Sequence, residues 1–157
     1  MSTPPFTVRP VNWNASREAL RSVRITVFVK EQQVPEELEW DDADEHAYHV
    51  LATAVDGKPI GTGRLKLDCH IGRMAVLKSW RGRGVGSAIL ERLIDFARRE
   101  GCSEVRLHAQ THALAFYARF GFVAVGEEFD EAGMPHRVMT LDLKASPAKP
   151  LSPRARA

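Results

Sequence analysis

The period of the apolar positions changes several times along the chain, and each change marks an element. Phe6–Val11 alternates as a short strand. From Ser16 to about Gln32, the spacing of Leu20, Val23 and Val27 predicts an amphipathic helix, with Glu31 falling close to the same face. The β-branched Ile25, Thr26, Val27 and Val29 weigh against its second half, and Val34-Pro35 ends it. Glu36, Glu37, Glu39, Asp41, Asp42, Asp44 and Glu45 then form a run without a basic residue, read as a loop or short helical turn. His49–Val55 and Ile60–Leu67 predict a hairpin around Asp56-Gly57-Lys58-Pro59, with a further strand at Ile71–Leu77. Val85–Glu100 is the strongest helix. Val85, Ile89, Leu90, Leu93, Ile94, Phe96 and Ala97 fill one half of its wheel, Glu91, Arg92, Asp95, Arg98 and Arg99 fill the other, and Gly101 stops it. Glu104–Gln110 predicts a strand and Thr111–Phe120 a second amphipathic helix. Phe122–Glu128 and Arg137–Leu143 close the pattern as strands around a Gly133-Met-Pro135 turn.

This order predicts an α/β fold, a single domain with a central mixed, mostly antiparallel sheet of six or seven strands flanked by helices. Composition agrees: 157 residues suffice for one domain with a real core, and 44% hydrophobic with 27% charged residues is ordinary for a globular protein. No apolar run approaches the roughly 20 residues of a membrane span. Met1–Phe6 lacks the basic and apolar regions of a secretory signal. The stretch 145–157, rich in proline and carrying Lys149, Arg154 and Arg156 without an acid, is expected to be a disordered tail, leaving 1–144 as the folded domain. Without those three cations the chain carries 19 basic against 20 acidic residues, so no basic face for nucleic acid is expected. Cys69 and Cys102 show no framework spacing, which predicts free thiols and a reducing, cytoplasmic setting. No metal is expected.

The chemistry concentrates after the strand Ile71–Leu77, where Arg81-Gly-Arg-Gly-Val-Gly-Ser87 runs straight into the long helix. Glycines let backbone amides approach a ligand, the helix N-terminus adds partial positive charge, and Arg81 and Arg83 add full charges. A phosphate or pyrophosphate suits such a device. The loop lacks the lysine of a nucleotide-binding P-loop. Ser87 stands where a dinucleotide fingerprint needs its third glycine, and the next strand ends at Gln110 rather than at an acid.

Arg81-x-x-Gly84-x-Gly86 resembles motif A of the GNAT acetyltransferase superfamily, R/Q-x-x-G-x-G/A, which binds the pyrophosphate of acetyl-CoA. Its context also matches: Met74-Ala-Val76 before it, then a helix, a strand, and a helix carrying Phe116-Tyr117-Ala-Arg-Phe-Gly121-Phe122. Val27-Phe-Val-Lys-Glu-Gln-Gln-Val-Pro35, Ala109-Gln-Thr-His112 and Glu131-Ala-Gly-Met-Pro-His136 resemble the ElaA/YjcF-like branch of bacterial GNAT proteins.

The resemblance implies an acetyl-CoA-dependent N-acetyltransferase, releasing CoA, with sheet strands splayed at the cofactor site. The acceptor would be the amine of a small molecule or of a protein, and homodimers are common in such families; no nucleic acid or membrane partner is expected. Amides from Gly82, Arg83, Gly84, Val85, Gly86 and Ser87 would cradle the pyrophosphate, with Arg81 and Arg83 adding charge. Met74, Ala75 and Val76 would line the pantetheine arm, a role of their backbone that is compatible with Met74 and Val76 also serving as core. Phe116 belongs to the same cofactor-side motif, and His112 is read as a cap or a contact to the arm. Tyr117 corresponds to the residue that protonates the departing thiolate; by spacing alone it is a half-buried aromatic.

The strand before motif A offers Arg73 where many relatives place a glutamate base. Glu31 is the substitute, either a base of raised pKa or an ion-pair partner of Arg24. His136 is a second candidate base or a substrate contact. The acidic run either draws a cationic amine towards the acceptor side or is simply solvated, and Trp40 within it suggests packing over a site or interface. A non-catalytic acyl-CoA-binding module and a protein lysine or N-terminal acetyltransferase remain as alternatives.

Overall fold

The structure is a computed structural model that describes residues 5–144, so the tail expected to be disordered at 145–157 lies outside the described residues. The elements follow the expected order, all strand pairing within the ladders is antiparallel, and the seven strands among the described residues divide between two sheets, ordered β1-β2-β3-β4 and β5-β7-β6. Two compact units divide the chain: residues through Leu67 with Ile71–Leu93, and Asp68–His70 with the chain from Ile94 onward.

In the first unit, β1 (Phe6–Val11) pairs with β2 (Tyr48–Ala54), β2 with β3 (Pro59–Leu65), and β3 with β4 (Ile71–Val76). Helix α1 (Trp13–Arg24) starts three residues earlier than its periodicity suggests. Asn12 caps it, its side chain accepting from the Ala15 amide at 3.1 Å. Where the β-branched residues begin, the helix widens into a π-helical segment, Ile25–Glu31. Val23 and Val27 stay buried against Ala75, while the wider turn carries Glu31 off that stripe, its side chain 38% exposed. The acidic run forms a short helix α2 (Glu36–Glu39) and a 3-10 turn at Asp42–His46.

One face of β3 is shaped for helix α3 (Val85–Arg99). A methyl group built on Gly63 would stand 2.7 Å from Ile89 Cγ2 and 2.9 Å from Leu93 Cδ1. The absence of side chains there lets α3 settle onto the strand. The other face carries Thr62 and Arg64. Between Thr62 and Arg64 the β3–β4 register slips, and Arg73, at φ +48°, takes up the extra residue of β4.

In the second unit, β5 (Glu104–Gln110) pairs with β7 (Met134–Asp142), which also pairs with β6 (Val123–Glu131). Val105, Leu107, Ala109 and Met139 are buried on one side of this sheet. The expected Thr111–Phe120 helix is a 3-10 turn at Thr111–Ala113 followed by α4 (Leu114–Ala118). The β6–β7 turn is the two-residue Ala132-Gly133, both at positive φ, so Met134 and Pro135 belong to β7 rather than to the turn.

The free-thiol expectation is overturned: Cys69 and Cys102 form a disulfide with Cα atoms 6.2 Å apart. A parallel bridge between His70 and Arg106, with the Arg106 amide donating to Cys69 O at 3.2 Å, lays the β3–β4 connection beside the start of β5. There it meets the turn that follows Gly101, within bonding reach. The reducing compartment was inferred from free thiols and loses that support. No helix among the described residues is long and apolar enough to cross a membrane.

Candidate active site

The donor-side device is assembled within the first unit. β4 is the edge of its sheet, so the Met74–Val76 backbone groups turned away from β3 have no strand partner within that sheet. Ala75 is buried beside Val23 and Val27, and Met74 and Val76 are partly buried. After β4 the chain makes a 3-10 turn at Lys78–Trp80 and reaches Arg81–Gly84, where Gly82 and Gly84 sit at φ +76° and +89°. These values favour glycine, and a methyl group built on either would meet nothing within 4 Å. The loop backbone is therefore accessible, as a phosphate cradle requires. Ala88 makes the first α3 bond, donating to Gly84 O at 3.0 Å, so the Val85, Gly86 and Ser87 amides precede the helical ladder.

The two loop arginines differ. Arg83 lies over the Trp80 ring, 4.8 Å from its centroid. Arg81 is engaged: Nε donates to Val76 O at 2.9 Å, Nη1 to Glu31 Oε2 at 2.7 Å and Nη2 to Glu31 Oε1 at 2.6 Å. The hydrogen bond from Arg81 holds the Glu31 carboxyl below the usual carboxylate range, against the expectation of a raised value. Arg24 is not its partner, because Arg24 is buried and bonds to Glu39 and Asp44.

That second pairing revises the acidic run. Glu39 and Asp44 are buried, whereas Asp41 is exposed but ion-paired. Arg64 Nη1 and Nη2 bond Asp44 and Asp41 at 2.7 and 2.9 Å. Arg73 donates to Glu39 O at 2.9 Å through Nη2. The solvated-loop reading therefore fails for Glu39 and Asp44, and all three carboxylates, Asp41 included, are paired with arginines rather than free charges toward a cationic amine. Burial raises the Glu39 carboxyl despite its arginines. Burial acts the same way on Asp41, yet the hydrogen bond and charge of Arg64 bring it down to about 2. Asp44 is likewise lowered, with Arg24 and Arg64 outweighing burial. Trp40 lies under Arg21, 4.0 Å from guanidinium carbon to ring centroid, and 5.2 Å from the Arg24 guanidinium carbon, so it packs against this cluster. His49 donates through Nε2 to Asp44 O at 2.8 Å and stacks on Trp13. Three arginines contributed by α1, β3 and β4 were visible in the sequence, but nothing in their spacing pairs them with the acids.

The second unit carries the remaining candidates. Tyr117 lies on α4 with its ring against Phe116 and Phe122. Loss of water around the hydroxyl pushes its pKa up to about 12. His112 Nε2 lies 2.7 Å from Gln110 Oε1, so Gln110 orients it. His136 is buried and stacks on Phe129. Its Nδ1 bonds Met134 O at 2.8 Å. A carbonyl only accepts, so the proton is on Nδ1, and neutral His136 keeps its lone pair on Nε2. Of the two candidate bases, His136 is held through Nδ1 alone, whereas Glu31 has both oxygens engaged.

The sequence model of the Acetyltransferase (GNAT) domain matches residues 15–143. The uncharacterised N-acetyltransferase YjcF of Bacillus subtilis is 42% identical over 125 residues, covering 76% of this chain and 88% of its own. Protein ElaA of Escherichia coli is 33% identical over 125 residues, covering 75% and 82%. The ElaA crystal structure superposes with a TM-score of 0.78 over 87% of this chain and 99% of its own, at 27% identity. An acyl-CoA N-acyltransferase from Pseudomonas aeruginosa gives 0.77 over 87% and 99%, at 31% identity. A cradle of open amides at a helix mouth, the motif order around it and these likenesses agree: the chain belongs to the GNAT acetyltransferase family and to its ElaA-like branch.

Proposed function

We propose that residues 1–144 act as one catalytic domain that transfers an acetyl group from acetyl-CoA to a primary amine, by direct attack in a ternary complex. The observation that carries this reading is the Arg81–Ser87 loop, whose two positive-φ glycines leave its backbone open beside the unpaired amides of the α3 N-terminus. The Gly82–Ser87 amides and Arg83 hold the donor's pyrophosphate. Met74, Ala75 and Val76 offer edge-strand backbone groups to the pantetheine arm, and one of the Ala75 or Val76 amides polarises the thioester carbonyl. Phe116 and His112 border the arm. Acetyl-CoA supplies the acyl group and a thiolate leaving group.

Tyr117, protonated across the neutral range, donates to the developing thiolate. His136 takes the proton of the attacking amine at Nε2. The acceptor is a small-molecule amine, and protein amines are the comparison substrates in the test. The purified chain is titrated with CoA by calorimetry, then assayed for thiol release from acetyl-CoA against a panel of amines and against lysate protein. Micromolar CoA binding with amine-dependent thiol release supports the reading. Binding without turnover on any acceptor replaces it by a non-catalytic acyl-CoA module.

A further inference from the structure

We infer that Glu31 is a positioning residue of the donor loop: it clips the Arg81 guanidinium, so the loop grips phosphate through its amides and Arg83 rather than through Arg81. The inference rests on reading that loop as the donor phosphate site.

The geometry is a three-point hold. Both Glu31 oxygens receive Arg81, at 2.6 and 2.7 Å, in a bidentate fork. The remaining edge of the same guanidinium donates through Nε to Val76 O at 2.9 Å. One planar group thus ties together the end of the π-helical segment, the end of β4 and the first residue of the glycine loop. Gly82 and Gly84 follow at once, and two positive-φ glycines give the loop little stiffness of its own. A fixed first residue limits the conformations that the following amides sample before the donor binds. The ionised states reinforce each other: the hydrogen bond lowers Glu31 and raises Arg81. The π-helical widening serves the same end, because it turns Glu31 away from the buried Val23–Val27 stripe and out to the loop.

A double-mutant cycle separates this role from the two others open to Glu31. CoA affinity is measured by calorimetry for the parent chain, Glu31→Ala, Arg81→Ala and the double variant, and amide exchange is followed at residues 81–87 without ligand. Each single change is expected to weaken CoA about threefold to fivefold, the range of an exposed ion pair. The double variant is expected to be no weaker than the worse single, loop exchange rises in Glu31→Ala, and the loss in turnover sits in KM for the donor more than in kcat. Tighter or unchanged CoA binding in Glu31→Ala, beside weaker binding in Arg81→Ala, overturns the inference by making Arg81 a direct phosphate ligand. A fall in kcat at saturating donor with CoA affinity intact overturns it in favour of a base. If the parent chain binds no CoA, the loop reading itself fails, and the exchange rates still decide whether Glu31 holds the loop.

Discussion

Arg64 Nη1 lies 2.7 Å from Asp44 Oδ1, with both side chains only 4% exposed, and Arg24 Nη1 meets the same oxygen at 2.9 Å. One buried carboxylate thus answers two buried guanidinium groups. Removing it strands two charges out of water, which costs far more than the net worth of the bridges. Asp44→Ala is expected to lose about 3–5 kcal/mol in urea unfolding. A loss below about 1 kcal/mol places these charges in contact with water.

The same cluster sets the acid limb of stability. Asp41 titrates at about 2 in the fold against an ordinary 3.8, so its contribution is complete above 3.8 and is lost as pH falls from there through 2. Asp44 has the same sign. Burial lowers His49 below 6.5, so its contribution is full above 6.5 and drains as pH falls through the folded value. Glu39, raised from 4.5, opposes them, since protonation favours its folded form. As pH falls, Glu39 gains above 4.5 while His49 loses below 6.5, and only below 3.8 do Asp41 and Asp44 lose together, so the decline of Tm is expected to be steepest below pH 3.8. Asp41→Asn is expected to flatten the segment between pH 3.8 and 2 and leave the rest of the curve parallel; an unchanged slope there refutes the Arg64 pairing.

The long-range pairings explain what the sequence could and could not yield. Strand and helix limits at Phe6–Val11, Val85–Arg99 and Glu104–Gln110 follow from local periodicity, and so does the glycine loop, because loop and helix are contiguous. Tyr117 and the loop residues are candidates through contiguous motifs, which local sequence can show. The partner of Glu31 was not: Arg81 is 50 positions away, and the π-helical widening that turns Glu31 toward it breaks the period on which the helical wheel relies. The acidic run looked solvated for a similar reason, since Arg24, Arg64 and Arg73 reach it from three separate elements.

The disulfide joins positions 33 residues apart and encloses β4, the glycine loop and α3. In the loop-entropy model a closure of that length is worth about 3–4 kcal/mol. Protein isolated without reductant is expected to show no thiol toward Ellman's reagent until unfolded and reduced. Dithiothreitol, or the pair Cys69→Ser and Cys102→Ser, is expected to lower Tm by about 10 °C. Two titratable thiols in the native, unreduced protein contradict the bond.

Gly63 tests how closely α3 sits on β3. Gly63→Ala places a methyl 2.7 Å from Ile89 Cγ2 and 2.9 Å from Leu93 Cδ1, and both atoms belong to branched side chains packed in the core. Overpacking of this kind costs about 1–3 kcal/mol. In an Ile89→Ala background, which lacks the Cγ2 methyl, the same Gly63→Ala change is expected to cost less than in the parent chain. A neutral Gly63→Ala means that helix and strand lie further apart than the structure has them.

Tyr117 carries the sharpest test of the chemistry. An ordinary thiol has a pKa of about 8.5, so a hydroxyl at about 12 holds its proton against the leaving sulfur and acts first as a hydrogen-bond donor to developing charge. Full transfer to the product thiolate is uphill by the same difference, so the departed thiolate takes its proton from solvent and Tyr117 keeps its own. Two consequences can be measured. Tyr117→Phe removes one donor aimed at an anion and is expected to lower kcat about 100-fold, with CoA affinity within about twofold because the ring contacts to Phe116 and Phe122 persist. The parent enzyme is expected to show no alkaline break in kcat assignable to this phenol below about pH 10, since the hydroxyl stays protonated there. A break near pH 9 that vanishes in Tyr117→Phe shows a phenol with an ordinary or lowered pKa, and the burial argument then fails. Full activity in Tyr117→Phe removes the donor role altogether and leaves the thiolate to solvent.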